Sequence, residues 1–175
     1  ERIADAARQI EGAFSLVITT NDSLVGVRDP QGFRPLCLGK TENGYVLSSE
    51  SCAFDAIKAE FIRHIDPGEM VIIDDSGVRS TIYAEPEKIH KKLCVFEYIY
   101  FARGDSHIDG QSVYQSRLNM GRELYNETKY DADIVMSIPD SGTTAALGYA
   151  RASGIPFAEG LVKNRYSGRT FIKPN

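Results

Sequence analysis

The hydrophobic pattern of this chain changes period partway along, and that change constrains the fold more than any other feature. From residue 12 to about residue 94 the apolar residues fall in short β-rich runs. Runs at 14–20 and 24–28 flank Asn21-Asp22 as a hairpin, and further strands are expected at 36–39, 45–48 and 70–73, punctuated by Glu42-Asn43-Gly44 and Pro67-Gly68. One helix is expected over 51–59, with Ser51 or Ser49 as N-cap. From residue 111 the period lengthens: a helix over 111–129, a continuous apolar strand over 133–138, a helix over 143–152 ended by Gly154, and a strand over 157–162. That order is the opening of a βαβ unit on a parallel sheet. The expected fold class is α+β, with the rear of an antiparallel domain (1–96) passing through a linker at 97–110 into the front of a doubly wound one (97–175).

With 175 residues, 42% of them hydrophobic, the chain can build a core. A net charge of −4 with no basic cluster argues against nucleic acid as a partner. No run approaches the roughly 18 apolar residues of a membrane helix, and residues 1–11 lack the features of a signal peptide, so no membrane association and a cytoplasmic location are expected. The three cysteines, Cys37, Cys52 and Cys94, are odd in number, far apart and without a CxxC pair. They fit neither a disulfide framework nor a self-contained zinc site and read as core thiols. His64, His90 and His107 share no metal or dyad spacing and read as solvated or capping residues. Residues 2–10 read as the middle of a helix and 171–175 stop without a closing element, as though the chain were cut from a longer one.

Four segments could carry chemistry. Residues 137–145, SIPDSGTTA, sit where a parallel strand turns into a helix, and unpaired N–H groups at a helix start attract phosphate or diphosphate. Asp140 or Ser141 serves equally well there as a plain N-cap. The second segment, VIIDDSGVRST at 71–81, has the look of a ribose-binding acidic loop. Such a loop must lead into a helix, whereas 79–84 alternates and is β-branched, so Asp75-Ser76-Gly77 reads as a hairpin turn. The third, RDPQGFRPL at 28–36 followed by Ser48-Ser49-Glu50, reads as a structured turn in which Arg34 has a carboxylate near it in sequence to pair with. The fourth, residues 162–170, places Lys163, Arg165 and Arg169 around Tyr166 and Gly168; it is either a solvated basic loop or one that closes on an anion.

RDPQGFRPL with SSESCAFD resembles the class II, N-terminal-nucleophile glutamine amidotransferases. FEYIYFARGDSHIDG, IPDSGTTAALGYA and GLVKNRYSGRTFIKP, in this order, narrow the resemblance to the glutamine phosphoribosylpyrophosphate amidotransferases over nearly the whole chain, nearest their Bacillus-type branch. The resemblance implies the rear part of a four-layer αββα glutaminase domain followed by the first part of a type I phosphoribosyltransferase domain. It implies the first committed step of purine synthesis, with ammonia taken from glutamine and delivered to C1 of phosphoribosylpyrophosphate, purine nucleotides as inhibitors, and a homo-oligomer, tetramer or dimer.

Carried over residue by residue, the resemblance makes Asp140, Ser141, Gly142 and Thr143 substrate-binding, with Ser141 a magnesium contact. Lys163, Arg165, Tyr166 and Arg169 match the loop that orders over the substrate. Cys94 falls where the Bacillus-type branch has one ligand of a [4Fe–4S] cluster, the other ligands being expected downstream. Arg103-Gly104-Asp105-Ser106 departs from the usual Arg-Pro-Asp-Ser, which gives that turn extra backbone freedom. The family's nucleophile is an N-terminal cysteine, where this chain has Glu1, and the glutamine-recognition residues are expected upstream of it, so the segment alone is expected to be inactive. Two rival readings are a stand-alone phosphoribosyltransferase using Asp74 and Asp75, and a non-catalytic interaction module.

Overall fold

The structure, a computed structural model, describes residues 1–168. It divides into two compact units, one spanning Glu1–Val113 and one beginning at Tyr114. The first carries α1 (Arg2–Gln9), β1 (Ser15–Thr19), β2 (Ser23–Arg28), β3 (Cys37–Thr41), β4 (Gly44–Ser48), α2 (Cys52–Ala56), β5 (Glu60–His64), β6 (Glu69–Asp74), β7 (Gly77–Ile82), β8 (His107–Ile108) and β9 (Gln111–Ser112). Helix α3 (Val113–Glu127) leads into the second unit, which also holds α4 (Gly142–Ser153).

Strands β1-β2-β6-β7 form one antiparallel sheet and β4-β3-β5 a second. Period-2 alternation assigns their faces. Val25 and Val27 of β2 and Met70 of β6 turn to one side, where they pack with Ala4 and Ala7 of α1, Phe14 and Tyr83. Val71 and Ile73 of β6 turn to the other side and meet Leu47 of the second sheet with Leu36 and Ile65, which flank its strands β3 and β5. Gly26 lies where the sheets approach: a Cβ there would lie 2.9 Å from Leu47 Cδ1 and 3.4 Å from Ile65 Cδ1, so those side chains would have to shift. On the far face of the second sheet Gly39 meets the ring of Phe54 from α2. The first unit is therefore layered as α1, sheet, sheet, α2.

The hairpins follow the turn chemistry. β1 pairs with β2 across Asn21-Asp22, and β6 pairs with β7 in a register that sets Asp74 opposite Gly77. Asp74 is used locally: its carboxylate accepts from the Ser76 N–H at 3.0 Å and pairs with Arg79 at 2.6 Å. The expected helix at 51–59 is shorter, Cys52–Ala56, and is followed by β5, a strand the pattern did not predict. Phe61 and Ile62 of β5 are adjacent and both exposed, so no alternation marks them.

In the second unit, α3 and α4 cross at glycines. A Cβ on Gly121 would run into the backbone of Ala145, and one on Gly148 into the backbone of Leu118. α4 ends on Gly154 in the left-handed conformation (φ 76°), whose N–H bonds Ala150 O at 3.0 Å. The strands expected at 133–138 and 157–162 reduce to one parallel bridge between Val135 and Phe157. Among the described residues each of these segments has only the other to pair with, and two parallel segments make a poor ladder by themselves.

Candidate functional site

The first unit concentrates its buried charge around RDPQGFRPL. Arg28 is 1% exposed. Its guanidinium donates to Arg34 O at 2.9 Å, Ile65 O at 2.6 Å and Gly32 O at 3.1 Å, and bidentately to Asp109 with both contacts at 3.2 Å. The buried Asp29 carboxylate accepts from the N–H groups of Gln31 and Phe33, which builds the expected turn. Arg34 pairs not with a carboxylate near it in sequence but with Glu97, at 2.9 Å, and lies 4.7 Å from the centre of the Phe101 ring. Burial pushes the Glu97 carboxyl up and Arg34 pulls it down; the first effect is the larger.

Glu50 accepts from the Arg103 N–H at 2.8 Å and the Ser106 hydroxyl at 2.7 Å, and the Ser51 hydroxyl accepts from the His107 N–H at 2.9 Å. RDPQGFRPL and SSES are thus more than a turn, since ion pairs and hydrogen bonds from them hold Glu97, Arg103, Ser106, His107 and Asp109. Gly104 and Asp105 occupy the corners of a closed turn in which Ser106 N–H bonds Arg103 O at 3.0 Å. The sequence signal that would have located Asp109 is Asp109-Gly110 itself. Both residues have positive φ, 46° and 85°, and they join β8 to β9 as a two-residue Asp-Gly hairpin.

His64 is half-buried rather than solvated, its ring 4.9 Å from that of Phe61 and its Nδ1 without a hydrogen-bond partner. Burial, with Arg28, His107 and Lys91 nearby, lowers its pKa against the opposing pull of Asp109. His90 and His107 are exposed. Cys37 and Cys52 are buried and Cys94 is half-buried. Burial pushes the Cys37 thiol up to about 12 and raises that of Cys52 as well. Cys94 sits in backbone hydrogen bonds to Phe33 and Glu97.

In the second unit, Ser141 is the N-cap of α4, and its hydroxyl makes no capping bond. The Pro139–Asp140 peptide is cis. Gly142 is the first residue of the helix, and the Thr143 hydroxyl lies 3.1 Å from that of Ser137. Lys163 pairs with Asp140 at 3.0 Å, and these two with Arg165 line an open cleft of about 430 Å³. Tyr166 is fully exposed, its N–H bonded to Asn164 Oδ1 at 2.9 Å, and Arg169 lies outside the described residues. The structure thus gathers Asp140, Lys163 and Arg165 in one cleft beside the start of α4. Among the described residues no group of three or more His, Cys, Asp or Glu stands close enough to hold a metal ion, and no helix is long and apolar enough to cross a membrane.

Residues 1–56, within the first unit, match the family model described as "Glutamine amidotransferase domain". Over nearly its whole length the chain is a homologue of amidophosphoribosyltransferases. It is 52% identical to the one from Archaeoglobus fulgidus over 93% of this chain, and 54% identical to the one from Synechococcus elongatus over 98% of it, covering 35% of each relative. The structure superposes with a TM-score of 0.92 on glutamine phosphoribosylpyrophosphate amidotransferase from B. subtilis complexed with ADP and GMP, at 44% identity, over 99% of this chain and 38% of that one. The chain therefore spans about a third of the length of the relatives it matches.

Proposed function

We propose that this chain is part of a glutamine-dependent amidophosphoribosyltransferase, which converts phosphoribosylpyrophosphate to phosphoribosylamine as the first committed step of purine synthesis. The observation that carries the reading is the identity of 44–54%, which runs through both units and not through the amidotransferase-like one alone. In this reading residues 1–96 are the C-terminal part of an αββα glutaminase domain, and 97–175 are the linker and the N-terminal part of a type I phosphoribosyltransferase domain. The intact enzyme is cytoplasmic, a homo-oligomer, and inhibited by purine nucleotides.

Ser141, Gly142 and Thr143, at the positive end of α4, would receive the diphosphate of phosphoribosylpyrophosphate, with Lys163, Arg165, Tyr166 and Arg169 closing over it. Mg²⁺ suits this donor set, because it keeps several waters and takes few protein oxygens beside the substrate's phosphates, and the Ser141 hydroxyl is not spent on capping. When bound, the ion would stabilise the charge on the departing diphosphate. A [4Fe–4S] cluster does not fit the described residues by themselves, and Cys94 enters the reading as one ligand at most.

Cys37 and Cys52 are not activated for glutaminase chemistry: a nucleophilic cysteine needs a lowered pKa, and burial raises both of theirs. The 175-residue chain is expected to release no glutamate from glutamine above a heat-treated control. It is expected to bind Mg²⁺-phosphoribosylpyrophosphate in calorimetry, and Ser141→Ala should weaken that binding about tenfold, the scale of one charge-assisted hydrogen bond. Binding that is absent, or indifferent to Ser141→Ala, would favour the interaction-module reading.

A further inference from the structure

The cleft at the start of α4 contains a charge of the wrong sign for an anionic ligand. Of its three lining residues, Lys163 and Arg165 can donate to phosphate oxygens, but the Asp140 carboxylate is an acceptor only and has no hydrogen bond to offer them. That carboxylate lies 3.0 Å from the Lys163 ammonium, in the place a phosphate oxygen would take. The two partners are held differently. Asp140 is tied into the helix start, its carbonyl accepting from the Thr143 N–H at 3.2 Å. Lys163 belongs to an irregular segment, next to a turn in which the Tyr166 N–H bonds Asn164 Oδ1 at 2.9 Å. Both side chains are well exposed, 71% and 61%, so the pair is weak enough for a ligand to exchange.

We propose that Asp140 is a counter-ion that holds Lys163 in the ligand-free chain and surrenders it when a diphosphate group binds, so that Asp140 lowers the affinity of the site rather than contributing a contact. The inference rests on the reading of this cleft as a diphosphate site. It differs from a role in which Asp140 reaches the ligand through Mg²⁺, because a counter-ion acts without metal and acts only through Lys163.

Calorimetric titration of the full 175-residue chain with inorganic pyrophosphate, in low-salt buffer containing EDTA, separates these roles. Asp140→Asn keeps the shape of the side chain and should bind about fivefold more tightly than the parent, the upper range for releasing an exposed ion pair. Lys163→Met should bind more weakly, and in the Lys163→Met background Asp140→Asn should have no effect. Unchanged or weaker binding by Asp140→Asn overturns the proposal, and so does a gain that persists without Lys163, since that would be plain repulsion between Asp140 and the ligand. Those results leave the diphosphate site standing. A parent chain that binds pyrophosphate only with Mg²⁺ overturns the counter-ion, which acts without metal, and one that binds none under either condition overturns the site as well.

Discussion

In the unit spanning Glu1–Val113, Arg28, Asp29, Glu69 and Glu97 are buried and each is paired or hydrogen-bonded. In the unit that begins at Tyr114, Arg117 of α3 is buried too, but the ion pairs at Arg122–Glu123 and Asp140–Lys163 are exposed, and the crossing of α3 and α4 depends on two glycines. The difference lies in what has to be held. A stretch with little regular structure, such as 102–106, keeps its backbone polar groups in place largely because side chains reach out to them. Two helices satisfy their own backbones and need only to approach closely. The first unit is thus rigid through directional contacts, whereas the second presents solvated charges beside a helix start, where they remain free to change partner.

The sharpest way to break this comparison is to remove the central cation. Arg28→Met leaves Asp109 and three carbonyls without their donor and should cost about 3–5 kcal/mol, the usual penalty for stranding one partner of a buried pair. Denaturant unfolding should show the first unit melting early, and hydrogen exchange in α4 should not change. Next in size is Gly121→Ala or Gly148→Ala, where a methyl meets backbone rather than a yielding side chain; a loss of about 3 kcal/mol is expected. Here exchange should quicken in α3 and α4 and stay slow in the sheets. If either substitution loosens both units equally, the contrast between them is wrong.

The third test uses pH. Because the His64 pKa is lowered from 6.5 on folding, the unfolded chain binds a proton first as pH falls. The first unit should therefore lose stability below about pH 6.5, and His64→Asn should flatten that slope. Glu69 contributes in the same direction at lower pH. Burial raises its carboxyl, but hydrogen bonds from Arg63 and the Asp66 N–H outweigh this and hold it below 4.5. The smallest effect is expected of Asp74→Asn, which should leave pyrophosphate binding unchanged, since that carboxylate is engaged by Ser76 and Arg79 within its own hairpin. A loss of binding there would revive the reading of Asp74 and Asp75 as a ribose loop.

Much of this was legible in the sequence because it is local. Asn21-Asp22, Asn43-Gly44 and Ser76-Gly77 mark their hairpins through turn chemistry alone, and Gly154 ends α4 through the backbone freedom its conformation requires. The start of α4 at Ser141 was legible for the same reason: a helix N-terminus is a short-range object. Strand β5 was not, because its place is decided by β3, more than twenty residues earlier in the chain, and not by its own alternation.

By itself the sequence determined the hairpins around residues 21–22, 43–44 and 75–77 and the existence of the helices. Tertiary structure alone decided that Arg28 would hold Asp109, 81 residues away, that Arg34 would turn from its neighbours to Glu97, that Gly121 and Gly148 would let two helices touch, and that Lys163 would settle on Asp140. The physical reason is the same in each case. A turn is selected by the conformational preferences of two or three residues, whereas a distant pair depends on closing a long loop, and that cost is met by the packing of every layer between.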